Sequence, residues 1–537
     1  MTLPLATRLT QRTDRRIALS TGLRAAGGSL AWLAASSDPL VRRAAAQALQ
    51  QPVFAGYGPL VPDPNPRPII DLPPGFQYRI LIERGDHLSN GDAWPSQADG
   101  MAPFTLPGGR TLLVVNHENA YRGEANRVPV ELADVYDREA AGGTTALIIR
   151  PDLSLEHSYA TSAGTVRNCA GGLTPWGTWL TCEETEHVPG SPNSAATLRH
   201  GYTFEVLPYG PAGAYPQQLR LPALGRFNKE AAVVDPGSGI VYQTEDNAQG
   251  LLYRFVPNTQ WPRGFGSYLA GGRLEAMRIE QLDRTWAGVP GRRPFRVGWV
   301  PIDDPDAIEV PTRVQGVLKG AHVFSRGEGM WWSGLGFVFT CTSGGMEEGG
   351  QVWRFVPSSG MIELLYEVSD RNEMESPDNI TVHPGSGDVY VCEDGPGTDF
   401  IRVVTAEGRA FPFGRVAMTT EDPRQKGLSG ITDTVGEVRG SPPDGRTDGE
   451  DAGACFSADG RVLFFNIQAP SMTIAVTGPF RQGSAAGGTA LGPRAMALTQ
   501  PPAAWLPPMS DTLLARGAQM GYSPTEVAAL QHFGFDL

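Results

Sequence analysis

The feature that most constrains the fold is a pattern of strands and turns that recurs along the chain. Segment 252–257, Leu-Tyr-Arg-Phe-Val-Pro, returns at 352–357 as Val-Trp-Arg-Phe-Val-Pro. A turn signal of the form x-Pro-Gly-Ser-Gly likewise precedes an apolar strand twice, at 235–239 and at 383–387. Repeated strand units separated by turn residues are typical of a β-propeller, in which sheets radiate around a channel. We therefore expect an all-β fold.

Composition supports this expectation. The 537 residues include 66 Gly and 46 Pro, which interrupt long helices and exclude a helical bundle or coiled coil. No segment between Gly56 and Pro479 has an apolar period of 3.6 over helix length, so alternating βαβ folds are not expected. Short β-branched and aromatic runs bounded by Gly, Pro, Asp or Asn predict strands near 111–115, 239–242, 337–340, 388–391 and 461–465.

The predicted domains are an N-terminal extension at 1–50, a β-propeller at 51–485, and a linker with a C-terminal docking tail at 486–537. Six blades would average about 70 residues, which leaves room for loop insertions. Seven blades, or two fused smaller propellers, fit the same pattern. A capped start at Ser523-Pro524 predicts a short helix in the tail.

The first fifty residues resemble an export signal. Arg15-Arg16 precede an apolar stretch at 25–35, which is the layout of a twin-arginine secretory signal. An ordinary N-terminal helix is the alternative, so we expect a periplasmic or secreted protein, or otherwise a cytoplasmic one. No apolar run reaches the roughly 18 residues that a membrane span requires.

The net charge and the cysteine pattern limit which ligands and which cross-links the protein could have. The formal net charge is −13 without a basic stripe, which argues against nucleic acid and favours cations. The five cysteines form no CxxC pair, so neither a disulfide framework nor a zinc ribbon is predicted. Cys182, Cys341, Cys392 and Cys455 lie in or beside apolar strands, where an inert buried thiol is expected.

Acidic residues recur in stretches too apolar or too rich in glycine to be a solvated face. Oxygen ligands from several blades could form a cage for Ca²⁺ or for a trivalent ion, although a turn cap or salt bridge would explain any single one. Cys169 lies in a turn, and a thiol beside carboxylates would favour iron over calcium. The acids are Glu118, Glu183, Glu184, Glu230, Glu245, Asp246, Glu328, Asp378 and Glu450.

Five motifs in chain order resemble the PhoX-type alkaline phosphatases and their wider family of propeller proteins. The long motif at 168–184, Asn-Cys-Ala-Gly-Gly-Leu-Thr-Pro-Trp-Gly-Thr-Trp-Leu-Thr-Cys-Glu-Glu, is highly specific, and the resemblance covers roughly residues 55–480. The shorter motifs are Asn-His-Glu at 116–118, Thr-Glu-Asp-Asn at 244–247, Ser-Arg-Gly-Glu-Gly at 325–329 and Ser-Pro-Asp-Asn at 376–379.

The resemblance implies a phosphatase for phosphomonoesters, with a mixed cluster of ferric iron and calcium in the propeller channel. Cys169 would be the iron ligand and Glu230 a bridging carboxylate, while Arg326 would face the phosphate. By motif position, Glu328 and Asp378 would complete the cluster. Among the recurring acids, Glu118, Asp246 and Glu450 are further expected metal ligands. Ala231 and Gly329 stand where better-known members have aromatic residues, which predicts a wider pocket or a change in how the substrate stacks.

Two other functions compete with this one. A calcium-dependent esterase or lactonase would need neither the thiol nor Arg326, and a non-catalytic propeller would use its metals only for structure. For the phosphatase we expect a small phosphorylated substrate and a monomeric protein.

Overall fold

The computed structural model describes residues 56–121, 127–129, 135–209, 218–259, 264–334, 336–395, 398–406, 408–418 and 450–482. The predicted extensions at 1–50 and 486–537, including the export signal and the C-terminal helix, lie outside these residues.

Strands dominate the described residues, and five runs predicted from the sequence all overlap strands. The first thirteen strands are β1 Ile70–Asp71, β2 Gln77–Glu83, β3 Ala98–Leu106, β4 Arg110–His117, β5 Gly142–Ile149, β6 Leu155–Thr165, β7 Asn168–Leu173, β8 Trp179–Glu183, β9 Thr203–Val206, β10 Gln218–Arg220, β11 Lys229–Val234, β12 Val241–Glu245 and β13 Tyr253–Pro257. The others are β14 Gly272–Ile279, β15 Phe295–Pro301, β16 Gly327–Ser333, β17 Gly336–Cys341, β18 Gln351–Val356, β19 Met361–Glu367, β20 Pro377–Val382, β21 Val389–Glu393, β22 Phe400–Val404, β23 Ala410–Val416, β24 Asp451–Phe456, β25 Val462–Ile467 and β26 Met472–Thr477.

Helices are few. One α-helix, α1 at Thr312–Leu318, and three short 3-10 helices at Pro107–Gly109, Pro222–Leu224 and Ser267–Ala270 occur in the described ranges. None of the described helices has the length and apolar character needed to cross a bilayer.

The strands form antiparallel sheets in a propeller-like arrangement. Three sheets have four strands, β3-β4-β5-β6, β10-β9-β8-β7 and β2-β26-β25-β24, and one has five, β1-β23-β22-β21-β20. The fifth sheet has nine strands in the order β11-β12-β13-β14-β15-β19-β18-β17-β16. The all-β expectation is confirmed, whereas this division does not by itself give the six blades expected from the sequence.

The two sequence repeats occupy equivalent places in this architecture. The segments 252–257 and 352–357 form β13 and β18, which each pair with the second strand of a unit. The two Pro-Gly-Ser-Gly turns join β11 to β12 and β20 to β21. Both turns close with the same backbone bond, from the N–H of Gly239 to Asp235 O and from the N–H of Gly387 to His383 O.

The core lies between the sheets. Leu113 and Val115 of β4 pack in one hydrophobic cluster with Phe464 of β25, while Leu112 and Val114 pack in another with Trp179 of β8. Because successive side chains of a strand point to opposite faces, an apolar run such as 112–115 can fill two cores at once.

We call each run of four neighbouring strands that begins with β3, β7, β11, β16, β20 or β24 a unit, and that strand its first strand. The first strands form a closed ring around a common axis. β3, β7, β11, β16, β20 and β24 contact one another in this order, and β24 contacts β3. Small residues permit the close approach, because a Cβ added to Gly100 would lie 2.6 Å from the Cα of Ala170 on the neighbouring strand. β2, from the start of the described chain, pairs with β26 from its end and so ties the last sheet to the beginning of the fold.

Candidate metal centre

A β-bulge recurs near the start of every first strand. In each, the register against the second strand shifts by one residue, for example between Asn168 and Gly171 in β7 and between Gly327 and Met330 in β16. A bulge bends the strand locally and turns a side chain in a new direction. We call the residue directly after the first paired residue of each first strand the bulge position. The bulge positions are Asp99, Cys169, Glu230, Glu328, Asp378 and, in β24, where the register shift begins one residue later, Ala452.

Two further sets of equivalent positions surround the bulges. We call the residue that follows the second strand of each unit the strand-end position, and the residue just before the first strand the entry position. In every unit the backbone N–H of the strand-end residue donates to the carbonyl of the entry residue. The strand-end positions are Glu118, Glu184, Asp246, Thr342, Asp394 and Gln468. Their carbonyl partners, in the same order, are Gln97, Arg167, Asn228, Arg326, Ser376 and Glu450.

These positions bring together four groups of potential metal ligands. Within each group, one ligand atom from every residue lies within 4.8 Å of the others. The groups share Cys169, Glu230 and Asp378, so they form one continuous chain of donors. They are Asp99 with Glu118 and Cys169, Cys169 with Glu184 and Glu230, Glu230 with Glu328 and Asp378, and Asp378 with Asp394 and Glu450.

The structure thus places most of the predicted ligands in one cluster. Six of the seven, Glu118, Cys169, Glu230, Glu328, Asp378 and Glu450, belong to these groups. The seventh, Asp246, lies outside them and instead accepts hydrogen bonds from Arg326.

Sequence reasoning missed three members of the donor chain. The pattern of recurring acids includes neither Asp99 nor Asp394, and it includes Glu184 without predicting it to be a ligand. Asp99 occupies the bulge position of β3, so aligning the first strands by their bulges would have found it.

Glu230 tests whether these residues fit a metal ion. Its side chain is 0% exposed, and neither carboxylate oxygen has a hydrogen-bond partner among the described residues. A buried carboxyl group without a partner is costly, by about 1–3 kcal/mol or more. A cation held between Glu230 and its neighbours would satisfy both oxygens, so the donor set fits metal ions.

The electrostatics of the cluster favour the same conclusion. Burial, followed by repulsion from Asp378, Glu184 and Asp99, raises the pKa of Glu230 well above its usual value. Burial and the charge of Asp394 raise the pKa of Asp378 to about 8. So many buried carboxylates can ionise together only when positive charge lies between them.

Cys169 belongs to this centre and the other four cysteines to the core. Its Sγ donates to Oδ2 of Asp99 at 3.3 Å, and burial together with Asp99 raises its pKa well above that of an ordinary thiol. A cation would reverse this effect and stabilise the thiolate. The remaining cysteines are buried in hydrophobic clusters, as expected: Cys182, Cys341, Cys392 and Cys455.

Arg326 lies beside the donors. Its Nε donates to Asp246 Oδ1 at 2.9 Å and its Nη2 to Glu328 Oε1 at 2.7 Å. Burial opposes ionisation of Asp246, but the guanidinium outweighs it and the pKa of Asp246 is lowered. Asp246 is therefore an anion that orients Arg326.

Ala231 and Gly329, where the resemblance predicts a wider pocket or altered stacking of the substrate, each follow a bulge position. Ala231 is buried in a hydrophobic cluster, and a Cβ added to Gly329 would lie 2.8 Å from the Cα of Asn379 on the neighbouring first strand. The absence of a side chain at Gly329 therefore allows β16 and β20 to pack closely.

Comparisons with known proteins agree with the all-β, propeller-like fold. Among solved structures, the fold is similar to that of Pseudomonas fluorescens PhoX in complex with vanadate, a transition state analogue. The identity is 19% and the TM-score 0.57, over 78% of this chain and 97% of that chain. A gluconolactonase, XC5397 from Xanthomonas campestris, is 12% identical over 79% of this chain and 98% of that chain, with a TM-score of only 0.35. No curated protein matches the sequence.

The family comparison covers most of the chain. The family described as alkaline phosphatase PhoX matches residues 55–158 and 151–471, which include every bulge position and its neighbours. This chain therefore belongs to the alkaline phosphatase PhoX family and is a phosphomonoesterase.

Proposed function

We propose that the protein hydrolyses phosphomonoesters with a mixed cluster of ferric iron and calcium held at the bulge and strand-end positions. The observation that carries this proposal is the donor chain from Asp99 to Glu450, with the unpartnered carboxylate of Glu230 near its middle. The related Pseudomonas fluorescens protein was solved with vanadate, a transition state analogue, which suits a site for phosphoryl chemistry.

The chemistry of the donors suggests where each metal would be held. Cys169 supplies the one soft ligand of the groups and suits iron, with Glu230 and Glu184 beside it. Asp378, Asp394 and Glu450 offer only oxygen, which suits calcium. Glu230 belongs to two groups and is suited to bridging.

The chain's own residues would then position the substrate. Metal ions held by these residues would supply positive charge for the phosphate oxygens and would activate water for attack on phosphorus. Arg326 donates to phosphate oxygens with the N–H groups that Asp246 and Glu328 leave unused. Asp246 holds the guanidinium in place, and burial of the carboxylates excludes water from the ligands.

Elemental analysis of the purified protein, paired with an aryl phosphate assay, tests this proposal. Cys169→Ala should lose iron and activity together, whereas Cys182→Ala, a buried core cysteine, should retain both. Phosphatase activity without iron in Cys169→Ala would refute the iron assignment. Calcium without iron, with hydrolysis of lactones but not of phosphate esters, would favour the esterase or lactonase.

We also propose that the sheets constitute six blades. The nine-stranded sheet is joined at its middle by only two residue pairs, Phe295 with Ile362 and Arg296 with Met361. Each half has its own first strand with a bulge, β11 in one and β16 in the other. A density map at near-atomic resolution would give the count directly.

The domain limits, export and oligomeric state remain proposals as well. We propose a monomer with its propeller at 51–485, exported through a twin-arginine signal within 1–50. Mass spectrometry of the mature protein from cells would detect removal of the N-terminus, and light scattering would measure the molecular mass. An intact N-terminus on protein confined to the cytoplasm would contradict export.

A further inference from the structure

The entry positions contain a second arginine equivalent to Arg326. Arg167 stands two residues before the bulge position Cys169, as Arg326 stands two residues before Glu328. The two residues share a left-handed backbone, with φ of 51° and 50°. A residue other than glycine is uncommon in this conformation, so the pair reflects one repeated backbone geometry.

Each of the two side chains also binds two carboxylates through Nε and Nη2. Nε of Arg167 donates to Glu118 Oε1 at 2.8 Å and Nη2 donates to Glu184 Oε2 at 2.7 Å. The side chains of Arg167 and Arg326 are 30% and 34% exposed, whereas the side chains of their carboxylate partners are largely buried. In the described part of the chain, no residue accepts a hydrogen bond from Nη1 of either arginine.

Asn228, the entry residue between them, separates the two arginines. Its Nδ2 donates to Glu184 Oε1 at 3.1 Å and to Asp246 O at 2.7 Å. A continuous series of hydrogen bonds therefore runs beside β7, β11 and β16, through Arg167, Glu184, Asn228, Asp246 and Arg326. We call this series the strip. The two partly exposed arginine side chains, Arg167 and Arg326, lie at opposite ends of this strip. This arrangement suits a ligand with two separated anionic groups.

Resting on the proposed function, we propose that Arg167 forms a second anion subsite and that the preferred substrates are phosphomonoesters with a second anionic group. Arg326 contacts the phosphate that is hydrolysed. Nη1 of Arg167 donates to the second group, a carboxylate or another phosphate. One hydrogen bond from a guanidinium to an anion corresponds to roughly a tenfold preference or more.

The test compares esters that differ only in the second charge. The metal-loaded enzyme is assayed with phenyl phosphate and with 3- and 4-carboxyphenyl phosphate. Wild type should favour at least one carboxylated ester by about tenfold in kcat/KM. In Arg167→Gln this ratio should fall to about one, mainly through KM, because the lost interaction involves a group that does not react.

A binding measurement separates this role from support of the metal ligands. Calorimetry with phenylphosphonate and the matching carboxyphenylphosphonate, which are not hydrolysed, should give the same loss of preference in Arg167→Gln. Arg415→Gln is the control, because Arg415 is similarly exposed and pairs with Asp71 on an outer strand; it should keep the wild-type ratio.

The possible results are distinguishable. A wild type that hydrolyses phenyl phosphate without preferring either carboxylated ester would overturn the subsite. So would an Arg167→Gln variant that loses metal and activity toward all the esters in equal proportion. A wild type that hydrolyses none of them would count against the proposed phosphatase itself.

Discussion

Replacing Glu230 by Met should stabilise the metal-free protein and destabilise the metal-loaded one. Glu230 is completely buried and its two oxygens have no partner among the described residues. Without metal, burial of the unpartnered Glu230 carboxyl group lowers the stability of the folded protein. With metal, the carboxylate would be a ligand that stabilises it. Methionine has a similar length and no group that requires a hydrogen bond.

The expected gain in the free energy of unfolding follows from the missing hydrogen-bond partners of Glu230. An unsatisfied buried polar group costs about 1–3 kcal/mol, which Glu230→Met should recover in the metal-free protein near pH 5. With an unfolding entropy of about 2 cal/mol/K per residue, this corresponds to a rise in Tm of roughly 1–3 °C for a propeller of this length.

The stability of metal-free Glu230→Met relative to metal-free wild type should increase as the pH rises. The pKa of Glu230 is raised in the folded state, so above the usual pKa of a glutamate the folded protein holds a proton that the unfolded chain releases. The wild type therefore loses stability relative to the variant as pH rises toward the folded pKa, by at most about 1.4 kcal/mol per pH unit.

The assay is thermal melting of both proteins with and without chelator, together with elemental analysis. Glu205→Met is the matched control, because Glu205 is equally buried but accepts bonds from Trp176, Thr178 and the Gly266 N–H. That variant should lose stability in both states. If Glu230→Met were less stable than wild type without metal, the reasoning about an unpartnered carboxylate would be wrong.

The remaining predictions concern the same centre. Arg326→Lys should reduce kcat/KM for phenyl phosphate by about a hundredfold while changing metal content much less, because lysine cannot donate in the forked geometry of a guanidinium; kinetics and elemental analysis measure the two quantities. Gly453→Ala should cost more than about 2 kcal/mol and reduce metal binding, since φ is 63° and the added Cβ would overlap the Asp99 carbonyl oxygen. Gly387→Ala, at φ of 74° with open space, should cost only about 1–2 kcal/mol. Chelation of wild type should lower Tm by several degrees, because only the folded protein presents the donor chain; an unchanged Tm would mean that the metals contribute nothing to stability.

Much of the fold could be predicted because its signals are local. Strands such as β4 and β25 are continuous apolar runs closed by turn residues, and the Pro-Gly-Ser-Gly turns mark equivalent hairpins. The pairing of β2 with β26 could not be predicted in this way, because it joins segments from opposite ends of the described chain. The link from β15 to β19 is also non-local, because three strands lie between them in the sequence.

The site was predictable where an acid stands out from its neighbours or belongs to a specific motif. Glu230, Glu328 and Asp378 met one or both conditions, and the structure brings them together. Asp99 met neither, because its importance comes from the bulge, which is visible only in the pairing of β3 with β4. The role of Asp246 as the partner of Arg326 likewise depends on two units meeting at the axis.

The repeated bulge also explains why this centre is destabilising without cations. Six first strands meet at the axis, and at five of them the bulge position has a side chain that can bind a metal. At the sixth strand, β24, the bulge position is Ala452, whose methyl group cannot bind a metal, and Gly453 after it packs against the Asp99 carbonyl oxygen. A sheet core would normally place apolar residues at such buried positions, and Glu230 has given up its water without a hydrogen-bond partner among the described residues. Cations that bind only the folded chain would repay this cost, so the same residues that limit the stability of the empty propeller should make its metal-loaded form the stable one.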